Sequence, residues 1–219
     1  MSQAAPFNDG LQLVDVEISL QGAPLISISA TIGEGEVLTV MGASGSGKST
    51  LLAYLGGFLA PSFEARGDVF LSGRNIIQLP AEARQMGILF QDPLLFPHMS
   101  VGGNLLFAVP QKVKGKPARK ALVLAALENA GLADYFDRDP ATLSGGQKAR
   151  IALMRVLLAK PLALLLDEPF SKLDAGRRDQ IRQFVFNEAR ARKLPILLVT
   201  HDQADADAAG GEIFHLSGE

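Results

Sequence analysis

Residues 36–50 of the chain are EVLTVMGASGSGKST, an apolar, β-branched run followed directly by a glycine-rich segment that ends in Lys-Ser-Thr. The apolar run is typical of a strand buried on both faces, and the pattern becomes helical from Gly47 onward. Residues 42–50 satisfy the spacing G-x-x-x-x-G-K-[ST] between a strand and a helix. Because backbone N–H groups at a helix N-terminus bind anions, this glycine-rich loop (residues 42–50) predicts a nucleotide phosphate site.

The polar groups of the glycine-rich loop suit particular parts of a nucleotide. Lys48 is expected to contact the β- and γ-phosphates, the Ser49 hydroxyl to bind Mg²⁺, and Thr50 to reach the α-phosphate. The alternative is a Gly/Ser turn with an incidental lysine, which the strand-to-helix context disfavours. The predicted nucleotide contacts in the loop are Gly42, Ala43, Ser44, Gly45, Ser46, Gly47, Lys48, Ser49 and Thr50.

Strand and helix patterns alternate on both sides of this loop. This order predicts an α/β fold with a parallel sheet covered by helices. Apolar spacing between Pro93 and Pro161 is mostly helical, which indicates a helical lobe. Strands are predicted at residues 12–20, 36–41, 68–71, 86–90, 162–167 and 196–200, and helices at 47–54, 101–108, 117–129, 145–159 and 175–191.

Polar side chains follow three of these strands. Asp167 and Glu168 end the run LALLL, His201 follows ILLVT, and Gln91 follows residues 86–90. The carboxyl edge of a parallel sheet is where such folds bind ligands. We expect Asp167 to hold Mg²⁺ and Glu168 to polarise the attacking water. His201 is expected at the γ-phosphate or the water, and Gln91 at the Mg²⁺ or the water.

A second glycine motif, LSGGQ, opens the helix predicted from residue 145. Ser144 is a good N-cap, and the exposed N–H groups make a second anion-binding helix end. Lys148 and Arg150 lie in the first turns of this helix, where positive side chains interact unfavourably with the helix dipole. Their presence indicates that they interact with a negative group from outside this helix. The alternative is an ordinary capped helix.

The amino-acid composition excludes several classes of protein and kinds of metal site. The 219 residues are 47% hydrophobic, which excludes a disordered chain, and the absence of Cys excludes disulfide scaffolds and thiolate zinc sites. A net charge of -2 gives no global reason to expect nucleic acid. The mean hydropathy is +0.19, yet the most apolar stretch, residues 151–166, is interrupted by Arg155, Lys160 and Pro161. No membrane span is therefore predicted.

Taken together, the motifs resemble those of the ATP-binding subunits of ABC transporters over essentially the whole chain. In the family's order they are GASGSGKST as Walker A, Gln91 as the Q-loop, LSGGQ as the signature, LLLDE as Walker B, SKLD as the D-loop and His201 as the switch histidine. The resemblance is strongest to bacterial importers, and among them to the YnjD-type group. It implies a P-loop NTPase (RecA-like) parallel sheet core, an antiparallel β portion and an inserted helical subdomain.

The resemblance also implies domain limits, ligands and partners. One ABC domain (1–219) would have an ATP-binding core (1–92 and 161–219) and a helical signature subdomain (93–160). ATP and Mg²⁺ would be the cofactors, and two copies would pack head to tail, each ATP lying between Walker A of one copy and the signature of the other. The implied nucleotide contacts there are Ser144, Gly145, Gly146 and Gln147.

The expected partners are integral-membrane permease subunits and a solute-binding protein, at the cytoplasmic face of the inner membrane and without nucleic acid. The permease would dock on residues 93–101, where Leu94, Leu95, Phe96 and Met99 form an apolar run. The family's adenine-stacking aromatic is missing at Ile18, Ser19 and Leu20. Weak adenine contact and modest base selectivity are therefore predicted.

Two other functions are compatible with parts of the sequence. A soluble ABC ATPase acting on nucleic acid or the ribosome would use the basic run KVKGKPARK (residues 112–120), for which a solvated edge is the preferred interpretation. A small-molecule kinase would share the phosphate site, but LSGGQ argues against it. Asp202, Asp205 and Asp207 are interpreted as a solvated helix face rather than a metal site.

Overall fold

The computed structural model describes residues 9–216, and within them the chain forms nine strands and six helices longer than one turn. In chain order these are β1 (Gly10–Leu20), β2 (Ala23–Gly33), β3 (Val37–Met41), α1 (Lys48–Gly56), β4 (Phe63–Leu71), β5 (Arg74–Asn75), β6 (Met86–Leu89), α2 (Val101–Ala108), α3 (Lys116–Asn129), α4 (Gly145–Leu158), β7 (Ala163–Asp167), α5 (Ala175–Ala191), β8 (Ile196–Thr200), α6 (Gln203–Ala209) and β9 (Glu212–His215).

The predicted parallel sheet is confirmed. Its strands lie in the order β6-β7-β8-β3-β9, and β8 pairs in parallel with both β3 and β7. Every residue of β3 and of β8 is buried, which explains their continuous apolar sequences. The loops after β3, β7 and β8 therefore leave the sheet at one edge, and those loops carry Lys48, Glu168 and His201.

A second, antiparallel sheet has the order β2-β1-β4-β5. Strand β2 was not predicted from the sequence, although Ile26, Ile28 and Ile32 alternate along it and point inward. Ile26 and Ile28 share one apolar core with Leu51 and Leu55 of α1. This packing sets β2 against the helix that follows the glycine-rich loop. The strand predicted at 68–71 is also longer, since β4 begins at Phe63.

Arg84 closes the C-terminal end of α1. Its side chain is 7% exposed, and its guanidinium donates to the carbonyl oxygens of Tyr54 (2.6 Å), Leu55 (2.9 Å), Ile77 (2.8 Å) and Leu79 (2.9 Å). Burial lowers the pKa of Arg84. The side chain thus satisfies carbonyl groups that the end of a helix leaves without partners.

The chain divides into two compact units. The first comprises the described residues up to Ile88, Leu162–Glu168 and the chain from Phe186 onward, and it contains both sheets and α1. The second comprises Leu89–Pro161 and Pro169–Val185. The helical subdomain predicted at 93–160 thus falls within the second unit, which also includes residues after β7. Within that unit α2 packs on both α3 and α4, and α3 packs on α4.

One prediction about exposed charges was wrong. Asp205 is 2% exposed and accepts a hydrogen bond from Thr200 Oγ1 at 2.8 Å, because α6 turns this residue toward the end of β8. The lysines of the run 112–120 are exposed, as expected of a solvated edge. Arg119 in this run is half-buried and donates to the carbonyl oxygens of Leu106 (2.9 Å) and Val109 (3.0 Å) at the end of α2. Among the described residues, no helix is both long and apolar enough to cross a bilayer.

Candidate nucleotide-binding site

The glycine-rich loop joins β3 to α1 with an anion-binding backbone. Gly45 and Gly47 have φ of 85° and 90°, in the left-handed region that favours glycine. A Cβ on Gly47 would lie 2.8 Å from the Leu25 side chain, so close packing of β2 also requires glycine there. Gly47 caps α1, and no side chain of the described residues accepts from the N–H groups of the first turn. These groups are available to an anion.

Ser46 has a buried hydroxyl with no hydrogen-bond partner among the described residues. Buried polar groups normally have partners, and one without a partner indicates a missing ligand or water. The loop also has little spare room, since a Cβ on Gly42 would lie 2.6 Å from Ser46 Oγ. Both observations fit a loop shaped around a bound phosphate group.

Lys48 supplies the positive charge at this loop. Its side chain is 5% exposed, and Nζ donates to the carbonyl oxygens of Gly42 (2.8 Å) and Ala43 (2.7 Å). An ammonium group has three N–H donors, so these two bonds hold it at the mouth of the loop with a further donor available. The predicted contact between Lys48 and phosphate fits this placement.

Ser49 and Asp167 meet although they are far apart in sequence. Ser49 Oγ donates to Asp167 Oδ1 at 3.2 Å, which joins the start of α1 to the end of β7. The pKa of Asp167 is raised above its ordinary value, mainly by burial. The hydrogen bond from Ser49 and the positive charge of Lys48 lower this pKa, while the negative charge of Glu168 adds to the rise. A hydroxyl and a carboxylate are hard oxygen ligands of the kind that Mg²⁺ prefers, so these two side chains fit the predicted metal site.

Glu168 and His201 form a second pair at the same sheet edge. His201 Nδ1 lies 3.0 Å from Glu168 Oε1. Glu168 has φ of 44°, an unfavourable conformation for a residue with a side chain, and its N–H donates to the Val199 carbonyl oxygen at 2.9 Å. Strained backbone of this kind is concentrated at functional sites. The glutamate side chain remains 21% exposed and the histidine side chain 54% exposed, so both are accessible to solvent.

Gln91 and the LSGGQ segment belong to the second unit. Gln91 follows β6 and its side chain is exposed. The roles predicted for Gln91 at the Mg²⁺ or the water, and for the four LSGGQ contacts at ATP, stay predictions.

The start of α4 is held by a capping box. Ser144 Oγ accepts from the Gln147 N–H at 3.4 Å, and Gln147 Oε1 accepts from the Ser144 N–H at 2.9 Å. The other end of the amide, Gln147 Nε2, donates to Tyr135 Oη at 2.9 Å, and the Arg138 guanidinium carbon lies 4.0 Å from the centre of the Tyr135 ring. Tyr135 is a site residue that the motifs do not predict. Its signal was an aromatic residue nine positions before Ser144.

The two glycines of LSGGQ are not required by packing within the chain. A Cβ on Gly145 would lie 3.7 Å from Leu173, and one on Gly146 would lie 3.5 Å from Ile181, both ordinary contacts. Neither glycine has a positive φ. Packing and backbone conformation within the described chain therefore do not account for glycine at these two positions.

A cavity of about 610 Å³ lies on the antiparallel sheet. Leu25, whose side chain would meet a Cβ on Gly47, forms part of its wall together with Ser19 and the ion-paired Glu17 and Arg66. Its described lining contains no aromatic residue. This agrees with the absence of an aromatic residue noted at Ile18, Ser19 and Leu20.

Comparison with known proteins gives one consistent result. Residues 25–171 match the family model described as ABC transporter. The chain is 53% identical over 184 residues to the uncharacterized ABC transporter ATP-binding protein YnjD of Escherichia coli K12, covering 84% of each chain.

Two importer subunits are also similar. The chain is 40% identical over 187 residues to the thiamine import ATP-binding protein ThiQ of Jannaschia sp. CCS1, covering 85% of this chain and 80% of ThiQ. It is 41% identical over 189 residues to the spermidine/putrescine import ATP-binding protein PotA of Oleidesulfovibrio alaskensis G20, covering 86% of this chain but only 50% of PotA. The chain thus spans about half the length of that relative.

Proposed function

Because the chain belongs to the ABC transporter family, as an ATP-binding subunit with ATPase activity, we propose that its glycine-rich loop and the Ser49–Asp167 and Glu168–His201 pairs form the hydrolytic site. The observation that carries this proposal is the meeting of both pairs at the edge where the loop leaves the sheet. Three strands that are separate in sequence deliver a phosphate loop, a metal-binding pair and a carboxylate–histidine pair there.

Each group has a definite task in hydrolysis. The loop N–H groups and Lys48 bind the phosphates, and Ser49 and Asp167 hold Mg²⁺, which supplies positive charge to the phosphate oxygens when bound. Glu168 accepts a proton from water as the water oxygen bonds to the γ-phosphorus and the bond to the bridging oxygen breaks. The His201 N–H donates to Glu168, which orients the carboxylate.

The nucleotide base is proposed to lie in the cavity beside Leu25. Phosphates bound to the glycine-rich loop leave the base close to this wall, because Leu25 packs against Gly47. Aliphatic and polar groups contact a base less selectively than a stacked aromatic ring. The site therefore accepts ATP with modest selectivity over other purine nucleotides.

We infer that a second copy completes the site. The helix end at Ser144 offers N–H groups, and Lys148 and Arg150 add positive charge near it. The absence of side chains at Gly145 and Gly146 allows a phosphate chain to approach the backbone closely. In a head-to-tail dimer, ATP bound by one copy neutralises this helix end of the other. ATP binding then closes the dimer, and hydrolysis releases it.

Residues 93–101 are proposed to receive a membrane permease. Leu94 is 56% exposed and Phe107 is 68% exposed, and the Phe107 ring lies 5.1 Å from the ring of Phe96. Asn104 fixes the segment, because its side chain accepts from the Phe96 N–H at 2.7 Å and donates to the Phe96 carbonyl oxygen at 3.1 Å. An exposed apolar surface on a fixed backbone suits an apolar partner.

Arg155 helps to hold the backbone of this apolar surface in place. It donates to the carbonyl oxygens of Leu94 (2.8 Å) and Pro93 (3.1 Å), and its guanidinium carbon lies 5.4 Å from the centre of the Phe96 ring. Replacing Leu94 and Phe107 by serine is expected to abolish co-purification with the permease while leaving the ATPase of the isolated chain unchanged. An unchanged yield of permease would contradict this docking site.

The transported material is proposed to be a small solute that enters the cell with the help of a solute-binding protein. Similar chains are named for thiamine and for spermidine/putrescine import, which supports import without selecting a solute. Their names favour transport over the nucleic-acid alternative. The chain would then act at the cytoplasmic face of the membrane, as a peripheral subunit.

The Glu168→Gln variant tests the proposal. Glutamine retains an oxygen for His201 but is a poor proton acceptor, so the variant is expected to bind MgATP, lose turnover and remain an ATP-dependent dimer by size-exclusion chromatography with light scattering. Lys48→Ala is the matched control and is expected to lose nucleotide binding as well. Wild-type turnover in Glu168→Gln would remove Glu168 as the base.

A further inference from the structure

Two buried side chains meet directly beside His201. Thr200 ends β8 and is 1% exposed, and Asp205 lies in α6 and is 2% exposed. Thr200 Oγ1 donates to Asp205 Oδ2 at 2.8 Å and accepts from the Asp202 N–H at 3.1 Å. The threonine hydroxyl thus bonds to the residue that follows His201, and the aspartate fixes the direction of that hydroxyl.

The same loop is held on its other side by the start of α6. Asp202 caps the helix, since its Oδ1 accepts from the Ala204 N–H at 2.9 Å, and its carbonyl oxygen accepts from the Asp205 N–H at 3.1 Å. His201 therefore lies between two residues whose backbones are fixed. Both side chains of this hydrogen bond are shielded from water, so Asp205 makes the arrangement rigid.

We propose that Thr200 and Asp205 are positioning residues for hydrolysis, whose hydrogen bond holds His201 against Glu168. This inference rests on the function proposed for Glu168 and His201. The imidazole needs such support because its side chain is 54% exposed and would otherwise sample several rotamers. The network fixes the loop from behind, on the buried side of the sheet edge, where both of its side chains are almost fully buried.

Thr200→Val tests this proposal, because valine keeps the shape of threonine and removes only the hydroxyl. Single-turnover ATP hydrolysis and MgATP affinity are measured for Thr200→Val, for the matched control Thr200→Ser, and for both changes in a His201→Ala background. Thr200→Val is expected to slow hydrolysis by roughly ten- to a hundredfold, the effect of misplacing a catalytic group by about 1 Å, without weakening MgATP binding. Thr200→Ser is expected to hydrolyse at the wild-type rate.

The His201→Ala background separates positioning from general support. If the network acts through His201, Thr200→Val causes no further loss there, whereas an independent structural effect multiplies the two losses. Multiplied losses, or wild-type rates in Thr200→Val, would overturn the proposal. Wild-type rates in His201→Ala would instead refute the proposed role of His201, and the inference with it.

A second variant covers the case in which Thr200→Val does not fold. Thr200→Val combined with Asp205→Asn removes the same hydroxyl and also neutralises the buried carboxylate that it served. The imidazole NMR signal of His201, identified by its loss in His201→Ala, is expected to shift in either variant, while the signals of His98 and His215 stay in place. An unshifted His201 signal would overturn the proposal.

Discussion

His201 Nδ1 lies 3.0 Å from Glu168 Oε1, although 33 positions separate the two residues. The contact exists because β7 and β8 are parallel neighbours, with Asp167 opposite Val199. Each strand then delivers its next polar residue to the same edge of the sheet. The arrangement brings a solvent-accessible carboxylate and an imidazole together at the edge where the glycine-rich loop leaves the sheet, which suits the hydrolytic role proposed for them.

Gly146→Ala is predicted to separate folding from dimer formation. The added methyl has room beside Ile181, so the free energy of unfolding is expected to stay the same or to rise by up to about 1 kcal/mol. Thermal unfolding measures this change. The ATP-dependent dimer is expected to weaken, because the added methyl thickens the helix end that is proposed to receive the nucleotide of the second copy. Light scattering in the Glu168→Gln background measures this effect.

A contrasting glycine serves as its control. A Cβ on Gly102 would lie 2.7 Å from the Phe136 ring, so Gly102→Ala is expected to lower the stability of the protein. A fully retained dimer in Gly146→Ala would show that this glycine does not face the second copy.

Asp167→Asn is predicted to stabilise the metal-free protein near neutral pH. Burial, with help from Glu168, raises the pKa of Asp167, so the folded state binds its proton more tightly than the unfolded state does. The carboxylate therefore costs stability at pH values above its folded-state pKa, and the cost disappears as the pH falls below the unfolded value of about 3.9. Asparagine removes that cost, which solvent screening reduces at this partly exposed carboxylate.

Urea unfolding checks this pH dependence. The gain in Asp167→Asn is expected at about pH 7 and should vanish by about pH 3, while Mg²⁺-dependent ATP hydrolysis is lost. Asp207→Asn, at an exposed position, is expected to change the unfolding midpoint at neither pH. A destabilised Asp167→Asn protein at neutral pH would contradict the assigned burial cost.

Arg84→Leu is predicted to destabilise the first unit strongly without touching the site. The substitution leaves four buried or half-buried carbonyl oxygens without their donor, at a cost of about 2–4 kcal/mol. Arg66→Ala is the matched control, because its ion pair with Glu17 is exposed and is worth about 0–1 kcal/mol. Chemical denaturation compares the two, and equal effects would contradict the structural role of Arg84.

Ser19→Tyr is predicted to raise the affinity for ATP. The cavity wall that includes Ser19 and Leu25 contains no aromatic residue among its described members, and a stacked ring contributes about 1–3 kcal/mol per base in other proteins. An increase of about tenfold in affinity corresponds to the lower half of that range.

Titration with ATP and GTP measures this effect. The unmodified protein is expected to bind both nucleotides with similar affinity. Ser27→Tyr places the same ring at another position of the cavity lining and so tests whether the gain in affinity is specific to position 19. Strong rejection of GTP by the unmodified protein would contradict a weakly selective base site.

The sequence predicted those features that depend only on one strand and the residue that directly follows it. The buried strands β3, β7 and β8 were predicted from their apolar runs, and the loop from its glycine spacing. The Glu168–His201 contact was not predictable, because it depends on which strands are neighbours in the sheet. Asp205 was misjudged because a seven-residue helix has too little pattern to show which face is buried. Strand β2 was missed although its isoleucines alternate.

Cross-linking between two copies tests the central claim most directly, namely that each ATP site is completed by a second chain. The chain has no cysteine, so Ser44→Cys in one copy and Thr142→Cys in another place single thiols beside the glycine-rich loop and the LSGGQ helix, at exposed positions. Both chains carry Glu168→Gln. A short bis-maleimide is expected to join the mixed chains in MgATP, but not in MgADP, and to join neither variant with itself. Absence of the mixed product in MgATP, with both thiols reactive, would contradict the account.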